Sequence, residues 1–367
     1  MPALFDKVDG VIGGAERYAL ELARHMADVV PTTLLSFGSE ERQEVVGRLR
    51  VRVIGDPWYV RGLRSNPVSL RILTALRDID VVHCHQRHIL GSSLAALACR
   101  LTRRRVFVTD LGGGGWDVSG YVSTDRWYHG HLHISQYSRD VYGHRGKSWA
   151  DVIYGGVDID KFSPADLEKN GSSVVFVGRL LPHKGVDVLI RALPANMSLE
   201  IIGPASDPKY AQDLRALATG KQVTFHHDFD DTAIIGAYRR ALCVVLPSVY
   251  RSMYGHETSV PELLGQTLLE GMACGAPGVC TDVGSLPEIV ENGISGFIVP
   301  PNDPATLAQK VSWLRDHPEH RTLMGRAARD RVTKNFTWPA VVRRCLRAYL
   351  GERTAEMAGL AADGNEE

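Results

Sequence analysis

Short apolar runs rich in β-branched residues alternate with helical patterns along nearly the whole chain, and this alternation constrains the fold most. The clearest runs lie at residues 33–37, 80–83, 106–109, 174–177, 199–202 and 243–246. Strands that alternate with helices along a chain usually pair in parallel and are covered by those helices. We therefore predict an α/β protein built on parallel sheets.

The chain has 367 residues, which is more than a single hydrophobic core usually accommodates, so two domains are expected. Residues 162–173 are polar and rich in turn formers and are the best candidate for a linker. We predict a first α/β domain over residues 1–165 and a second over residues 166–340. The tail at residues 354–367, rich in alanine, glycine and acids, is expected to be disordered.

The composition excludes several classes of function. The formal net charge is zero, so nothing in the overall charge indicates a nucleic-acid partner. The six cysteines form no C-x-x-C pair and lie mostly in apolar runs, which is typical of reduced, buried cysteines rather than disulfides or a zinc site. No apolar stretch approaches the length of a membrane span and no signal peptide is evident, so we expect a cytoplasmic protein.

Histidines gather at residues 83, 85 and 88 and again at 129, 131 and 133. A metal site is one interpretation of these groups. His83 and His85 alternate at the end of a predicted strand, however, and have no carboxylate at ligand spacing. We predict that the protein holds no metal.

Two glycine-rich segments in the first half could contact a ligand. Gly13 and Gly14 precede a helical pattern, but only residues 1–5 could supply the strand that usually comes before such a loop. Either that strand is vestigial or the chain begins late. Residues 111–115 follow the run at 106–109 and fit either a ligand-binding loop or a hinge.

The first half is also rich in arginine. Residues 42–105 contain thirteen arginines and four acids, and the arginines include Arg64, Arg71, Arg77 and the cluster at 103–105. This distribution fits a face for an anionic acceptor or reversible contact with an anionic membrane, the latter from a peripheral position at its inner face. It also fits ordinary solvated faces.

In the second half, a buried run ends at Gly178 and Arg179, and a loop carrying Lys184 and Gly185 leads into a helix. Two cations on one strand-to-helix loop can clamp a diphosphate, Lys184 as a point charge and Arg179 as a planar fork. A pair of surface cations is the alternative. The position at a strand's carboxyl end favours the clamp.

Residues 261–275 place Glu262 before a predicted helix that starts at Gln266, and Glu270 about one turn into it. Gly265 would let a ligand approach the backbone, and the helix N-terminus would attract an anion. The amides expected to point out of that end belong to Gln266, Thr267 and Leu268. Such an arrangement fits a nucleotide sugar, which has a diphosphate between two groups of hydroxyls. On spacing alone, the interpretation of both as solvated surface acids is favoured.

Taken together, these motifs resemble the family-four glycosyltransferases, which are retaining enzymes of the GT-B fold. The matching segments occur in family order over about residues 10–345: 13–17, 80–83, 156–164, 178–179, 184–185, 247–248, 262–270, 273–277 and 284–297. The resemblance implies two Rossmann-like domains facing a cleft. A helix at residues 341–353 is expected to cross back to the first domain.

The resemblance also implies a role for each matching residue. Arg179 and Lys184 would neutralise the departing diphosphate, and Glu262, the first glutamate of the E-x7-E motif, would contact the donor sugar. Glu270 would hold ribose hydroxyls. The amides of Gln266, Thr267 and Leu268 after Gly265 would hold the diphosphate, and Gly14 would line it. No cofactor or metal is implied, and the acceptor would be a glycan, a glycolipid or a small molecule.

This sequence departs from the family pattern in two further places. About ten residues, 251–260, separate Ser248 from Glu262, and Leu111, next to Asp110, stands where the family often has a histidine. Two other functions stay open at this point. One is a nucleotide-sugar epimerase or sugar phosphorylase of the same fold, and the other is a non-catalytic relative that binds nucleotide sugars.

Overall fold

The computed structural model describes residues 14–112, 115–165 and 173–352. Contacts divide the chain into two compact units. The first takes in residues up to His133, residues 145–153 and the residues from Pro339 onward. The second takes in residues 134–144 and 154–338.

The second unit therefore already includes residues 154–165, ahead of the boundary predicted at residue 165. Phe162, at the start of the predicted linker, is buried, and Arg329 donates a hydrogen bond of 2.6 Å to its carbonyl oxygen. Hydrophobic burial thus attaches this polar stretch to the second unit. Residues 166–172 of the predicted linker, the predicted strand at residues 1–5 and the tail at 354–367 lie outside the described residues.

The first unit contains a parallel sheet and a smaller mixed sheet. Its strands are β1 (Thr33–Gly38), β2 (Arg42–Val46), β3 (Leu49–Gly55), β4 (Trp58–Tyr59), β5 (Pro67–Val68), β6 (Val81–His85), β7 (Arg105–Thr109), β8 (Gly130–His133) and β9 (Ala150–Val152). The strands β6-β7-β8-β9 are parallel neighbours in that order. In the smaller sheet β1 pairs in parallel with β3, whereas β2 pairs antiparallel with β3. The strand β2 was not predicted, because its exposed, charged sequence lacks an apolar run.

Helices pack on these strands through apolar faces. They are α1 (Gly14–Ala27), α2 (Arg71–Ala75), α3 (Leu90–Leu101) and, from Pro339 onward, α12 (Trp338–Leu350). One core cluster joins Ala95, Ala96 and Cys99 of α3 to β6 and β7. On α12, the Tyr349 hydroxyl lies 2.7 Å from His83 Nδ1, so the end of this helix contacts β6.

The second unit is built on one parallel sheet. Its strands are β10 (Ser173–Val177), β11 (Ser198–Ile202), β12 (Gln222–His226), β13 (Cys243–Leu246), β14 (Gly278–Thr281) and β15 (Gly296–Val299). They lie in the order β12-β11-β10-β13-β14-β15, and every pairing is parallel. This is the doubly wound Rossmann order, in which the chain reverses direction across the sheet between its first and fourth strands, here β10 and β13.

The helices of this unit are α4 (Gln136–Val141), α5 (Val186–Ala192), α6 (Pro208–Leu217), α7 (Asp231–Arg240), α8 (Gln266–Ala273), α9 (Leu286–Ile289), α10 (Pro304–Asp316) and α11 (Pro318–Asn335). Their starts follow ordinary capping chemistry. Asp207, for example, accepts a 3.0 Å hydrogen bond from the Tyr210 amide just before α6, and Pro208 occupies the first helical position. All residues of β10 and β13 are buried, as expected of central strands covered on both faces. The six predicted strands and the helix start at Gln266 are confirmed.

Candidate functional site

The candidate site lies where β10 and β13 end side by side at the centre of the second unit's sheet. In open α/β sheets, ligands bind outside the carboxyl ends of the strands at the point where the strand order reverses. The loop after β10 carries Arg179 and Lys184, and the segment after β13 carries Ser248 and Glu262. The predicted residues therefore converge on the edge where this fold class binds ligands.

The loop that carries Lys184 packs directly against the segment leaving β13. Gly185 has a φ of 66°, and a Cβ added there would lie 2.0 Å from the Pro247 carbonyl oxygen. The Val249 amide also donates to the His183 carbonyl oxygen at 2.8 Å. Only glycine permits both this backbone conformation and this close approach. The position of Lys184 is therefore fixed by backbone contacts to the neighbouring strand exit.

Glu262 is the buried acceptor of this arrangement. It is 6% exposed, and its Oε1 accepts hydrogen bonds from Lys184 Nζ and, at 2.8 Å, from Ser248 Oγ. Buried charges are usually paired, because an unpaired carboxylate loses its hydration without compensation. The fold thus joins a cation and a carboxylate that are far apart in sequence into one ion pair.

Arg179 and His183 extend the electrostatics of this pair. The pKa of His183 is lowered to about 4, mainly by burial and also by the positive charges of Lys184 and Arg179. The negative charge of Glu262 acts in the opposite direction. The His183 imidazole is therefore neutral at pH 7. Arg179 is exposed on the same loop and close enough to influence His183. The loop presents two cations that a ligand can reach.

The N-terminus of α8 begins at Gly265, as predicted, in a left-handed conformation with a φ of 81°. A Cβ there would lie 2.7 Å from Leu286 Cδ2, so both conformation and packing require glycine. Among the described residues, the amides of Gln266 and Thr267 make no backbone hydrogen bond. The Leu268 amide differs from the prediction, because it donates to the Gly265 carbonyl oxygen at 3.1 Å. Two of the three expected amides remain open to an anion.

Glu270 lies one turn into α8 and is 5% exposed. Its Oε1 lies 3.4 Å from Gln266 Nε2, which also donates to the Gly156 carbonyl oxygen at 3.0 Å. The Gln266 side chain therefore orients Glu270 while its amide stays at the helix end. Sequence reasoning assigned no role to this side chain, nor to Ser248 or His183. The position of Ser248 just after a buried strand was the available signal.

In the first unit, Gly14 is exposed at the start of α1, and a Cβ added there would meet nothing within 4 Å. Gly13 lies outside the described residues, as do positions 113 and 114 of the glycine loop. Asp110, at the carboxyl end of β7, is buried, and burial raises the pKa of its carboxyl. Its Oδ2 lies 3.5 Å from His88 Nε2. A carboxylate and an imidazole thus lie together at this sheet edge.

The other predicted features also have defined places. Burial lowers the pKa of His83 to about 3, and its Nε2 lies 2.8 Å from Thr109 Oγ1, so it is a neutral core histidine. Arg71 pairs with Glu41 at 2.8 Å, and the guanidinium groups of Arg104 and Arg105 donate to backbone carbonyl oxygens. The six cysteines, all within the described residues, are buried, and none forms a disulfide.

Across residues 14–112, 115–165 and 173–352, the structure contains no helix of the length and apolarity that a membrane span requires.

Comparison with known proteins gives two family matches. The model of the family described as glycosyl transferases group 1 matches residues 158–331. The model described as glycosyltransferase family 4 matches residues 12–161. The two matches overlap at residues 158–161 and together run from residue 12 to residue 331, so each unit contributes to a match.

Individual proteins are similar over differing lengths. An uncharacterized glycosyltransferase of Methanocaldococcus jannaschii is 26% identical over 92% of this chain and 94% of its own length. A D-inositol 3-phosphate glycosyltransferase of Frankia alni is 30% identical over 54% of this chain, and the chain spans about half of that relative's length (52%).

Among solved structures, Anabaena HepE in complex with UDP-glucose superposes with a TM-score of 0.71 at 19% identity, over 92% of this chain and 96% of that one. That likeness supports the fold. Because the two family models together run from residue 12 to residue 331, and both units match, the chain belongs to the family-four glycosyltransferases and has the GT-B fold.

Proposed function

We propose that this glycosyltransferase moves a sugar from a nucleotide diphosphate donor to an acceptor hydroxyl with retention of the anomeric configuration. The observation that carries the proposal is the Lys184–Glu262 pair at the exit of β10 and β13, next to the open amides of α8. A cation, a carboxylate and a helix N-terminus match a sugar diphosphate group by group. The complex of Anabaena HepE with UDP-glucose is consistent with such a donor.

In this proposal, the cations act on the leaving group. Lys184 and Arg179 stabilise the negative charge that develops on the diphosphate as its bond to the sugar breaks. The amides of Gln266 and Thr267 bind the phosphate oxygens. Preorganised charges of this kind contribute most of the rate enhancement in many enzymes, because they need no reorganisation during the reaction.

The two glutamates would bind the ends of the donor. Glu270, held by Gln266, would accept hydrogen bonds from ribose hydroxyls. Glu262 would contact the donor sugar once the donor's phosphates compete for Lys184. Because Oε1 of Glu262 is occupied by Lys184 and Ser248, this carboxylate is held for hydrogen bonding rather than for nucleophilic attack.

Retention then requires attack on the face that the diphosphate leaves. The acceptor oxygen bonds to the anomeric carbon as the bond to the diphosphate breaks, and the hydroxyl proton passes to the departing phosphate oxygen. Protein cations take the part that a metal plays in other enzymes of phosphate chemistry, so no metal is needed. Full activity in the presence of EDTA would support this part of the proposal, and restoration only by added Mg²⁺ or Mn²⁺ would contradict it.

A donor screen by thermal shift tests the binding step. At a hundred times its Kd, a true donor should stabilise the protein by about 2.7 kcal/mol. Glu270→Gln should weaken the binding of the selected nucleotide diphosphate about tenfold, whereas Glu319→Gln, at an exposed position on α11, should not. Binding that is equally strong in both variants would remove Glu270 from the donor site.

A complete assay couples this screen to product analysis. The selected donor should yield a glycoside of retained configuration, detected by NMR at the anomeric proton. A product of inverted configuration would refute the mechanism. Isomerised donor without acceptor would indicate an epimerase instead.

Reversible contact with an anionic membrane is a second part of the proposal. Arg61 and Arg64 are exposed, and exposed arginines near an anionic surface contribute about 1 kcal/mol each. The partners of Arg71, Arg104 and Arg105 reduce the number of side chains that can turn toward lipid. Co-sedimentation with phosphatidylserine vesicles should therefore be weak and should disappear at high salt. No binding at low salt would leave a solvated face.

A further inference from the structure

The first unit contains a cavity of about 650 Å³ whose lining residues have no part in the site described above. It lies between the β4–β5 pair, α3 and the short turns at Val118–Gly120 and Asp125–Trp127. The side chains that shape it are mainly apolar: Trp58, Val68, Leu94, Leu97, Val118 and Trp127. Volumes of this size are typical of sites for small organic ligands.

The mouth of the cavity leaves apolar surface in water. Trp58 is 70% exposed, Leu70 73% and Leu97 45%. On α3, Leu90, Leu94 and Leu97 form one stripe toward the cavity, while the opposite face of this helix packs into the core. Contiguous exposed apolar side chains in a folded protein usually mark a binding surface.

The cavity adjoins the polar edge of the first unit's sheet through a chain of hydrogen bonds. Ser93, which lines the cavity, donates to Asp117 at 2.6 Å, and the Ser119 amide donates to the same carboxylate at 3.1 Å. The Ser119 hydroxyl lies 2.9 Å from His88 Nδ1, and His88 Nε2 lies 3.5 Å from Asp110. Within the described residues, Asp110 Oδ2 is buried without a hydrogen-bond partner. Polar contacts through Ser93, Asp117, Ser119 and His88 therefore connect the apolar wall of the cavity to Asp110.

The charge around the mouth limits what can bind. Residues 57–77 contain four arginines and no acid, whereas the acidic residue Asp56 lines the cavity itself. Arg61 is exposed and lies 4.5 Å from the centre of the Trp116 ring. Asn66 connects this segment to α3, because its side chain donates to the Trp116 carbonyl oxygen and accepts from the Leu90 amide. Exposed apolar side chains among arginines are complementary to an amphiphile at an anionic lipid surface.

We propose that this cavity binds the acyl or isoprenoid chain of an amphiphilic alcohol, which is the acceptor, with its hydroxyl end toward Asp110 and His88. The assignment rests on the proposed function, since it specifies the acceptor of that reaction. Chain binding itself does not require turnover. The two proposals can therefore fail separately.

The probe is 12-bromododecan-1-ol, used below its solubility limit with the full-length chain. Its terminal bromine should quench the fluorescence of Trp58 and Trp127 saturably, and Trp58→Phe should reduce the quenched fraction. In a series of bromoalkanols, each added methylene should lower the Kd about fourfold until the cavity is full.

A matched pair of variants on α3 locates the binding. Leu97→Gln should raise the Kd about tenfold, because a polar amide replaces an apolar wall. Leu101→Gln, one turn farther along and 78% exposed outside the cavity, should leave the Kd unchanged. Trp58→Ser provides a second variant of the cavity wall if Leu97→Gln folds poorly, because Trp58 is largely exposed. Binding of the alcohol to this variant, measured by calorimetry, should also be weaker.

Quenching that does not saturate, or equal Kd values for the Leu97→Gln and Leu101→Gln variants, would overturn the assignment. Saturable, Leu97-dependent binding without transfer from any nucleotide sugar would support the cavity and contradict the proposed function. A third outcome is sugar transfer to glycerol that is no slower than transfer to 1-O-dodecylglycerol, together with no quenching of tryptophan fluorescence by 12-bromododecan-1-ol. That outcome would support the proposed function and overturn the cavity assignment.

Discussion

Replacing Lys184 by methionine should affect stability and catalysis through the same ion pair but to separable extents. Glu262 is almost fully buried, and the Lys184 side chain is 17% exposed. Methionine keeps most of the side-chain volume and removes the charge. Glu262 then retains the Ser248 hydroxyl as a donor, but its charge is uncompensated.

Breaking a buried ion pair from one side costs about 3–5 kcal/mol in the free energy of unfolding. Because Lys184 is partly exposed, we expect about 3 kcal/mol, the lower end of that range. The turnover number should fall about 10²–10³-fold, as it does when one preorganised donor to a developing anion is removed. Urea denaturation and steady-state kinetics with a saturating donor measure the two effects.

The double variant Lys184→Met with Glu262→Gln separates them. In the double variant, the neutral amide at position 262 still accepts the hydrogen bond from the Ser248 hydroxyl and carries no uncompensated charge. About 2 kcal/mol of the lost free energy of unfolding should therefore return. Activity should not return, because the charge that stabilises the diphosphate is still absent. Lys161→Met is the matched control, since Lys161 pairs with Asp231 at the surface of the same unit and should contribute less than about 1 kcal/mol.

Two results would refute this reasoning. A Lys184→Met enzyme that turns over at the wild-type rate would show that Lys184 does not stabilise the leaving group. A double variant no more stable than the single one would show that the lost stability does not come from the uncompensated charge on Glu262.

Two further predictions concern the same loop. Gly185→Ala should lower the free energy of unfolding by about 3 kcal/mol or more, because the new methyl group meets the Pro247 carbonyl oxygen. Gly220 has a φ of 78°, but a Cβ added there would meet nothing within 4 Å, so Gly220→Ala should lower the free energy of unfolding by only about 1 kcal/mol. Equal losses of stability in the two variants would contradict the close packing at Gly185. Burial lowers the pKa of His183 from an ordinary 6.5 to about 4. As the pH drops from 6.5 to 4, the unfolded chain therefore binds a proton at His183 that the folded chain does not, and the free energy of unfolding falls. His183→Asn should reduce that fall in the free energy of unfolding by about 2 kcal/mol, a figure that allows for the partial exposure of the imidazole. Urea unfolding at several pH values measures this, and the same pH dependence in the variant and the wild type would refute the prediction.

Much of the second unit followed from its sequence. The runs at residues 174–177 and 243–246 are apolar throughout, the run at 199–202 is interrupted only by Glu200, and buried parallel strands favour that pattern. Gly265 before a helical pattern predicted the start of α8, because glycine readily adopts the left-handed conformation found there. Local sequence sufficed where burial and backbone conformation are set within a few residues.

The first unit was less predictable from sequence. The strand β2 has exposed, charged side chains and is specified mainly by its antiparallel pairing with β3. Likewise, the residues at 162–165 have a linker-like composition, yet Phe162 is buried in the second unit. Pairing and burial depend on partners distant in the chain, which a local pattern does not contain.

The sequence by itself determined the alternating elements, the family and the residue types that meet a sugar diphosphate. Only the tertiary structure decided which of them touch. It showed that Glu262 is bound by both Lys184 and Ser248, and that the Leu268 amide is used within the helix. It also showed that polar contacts connect Ser93, in the wall of the apolar cavity, to His88 and Asp110. Hydrogen bonds and ion pairs act over a few ångströms in space, and the order of strands in a sheet, rather than spacing along the chain, brings their partners within that distance.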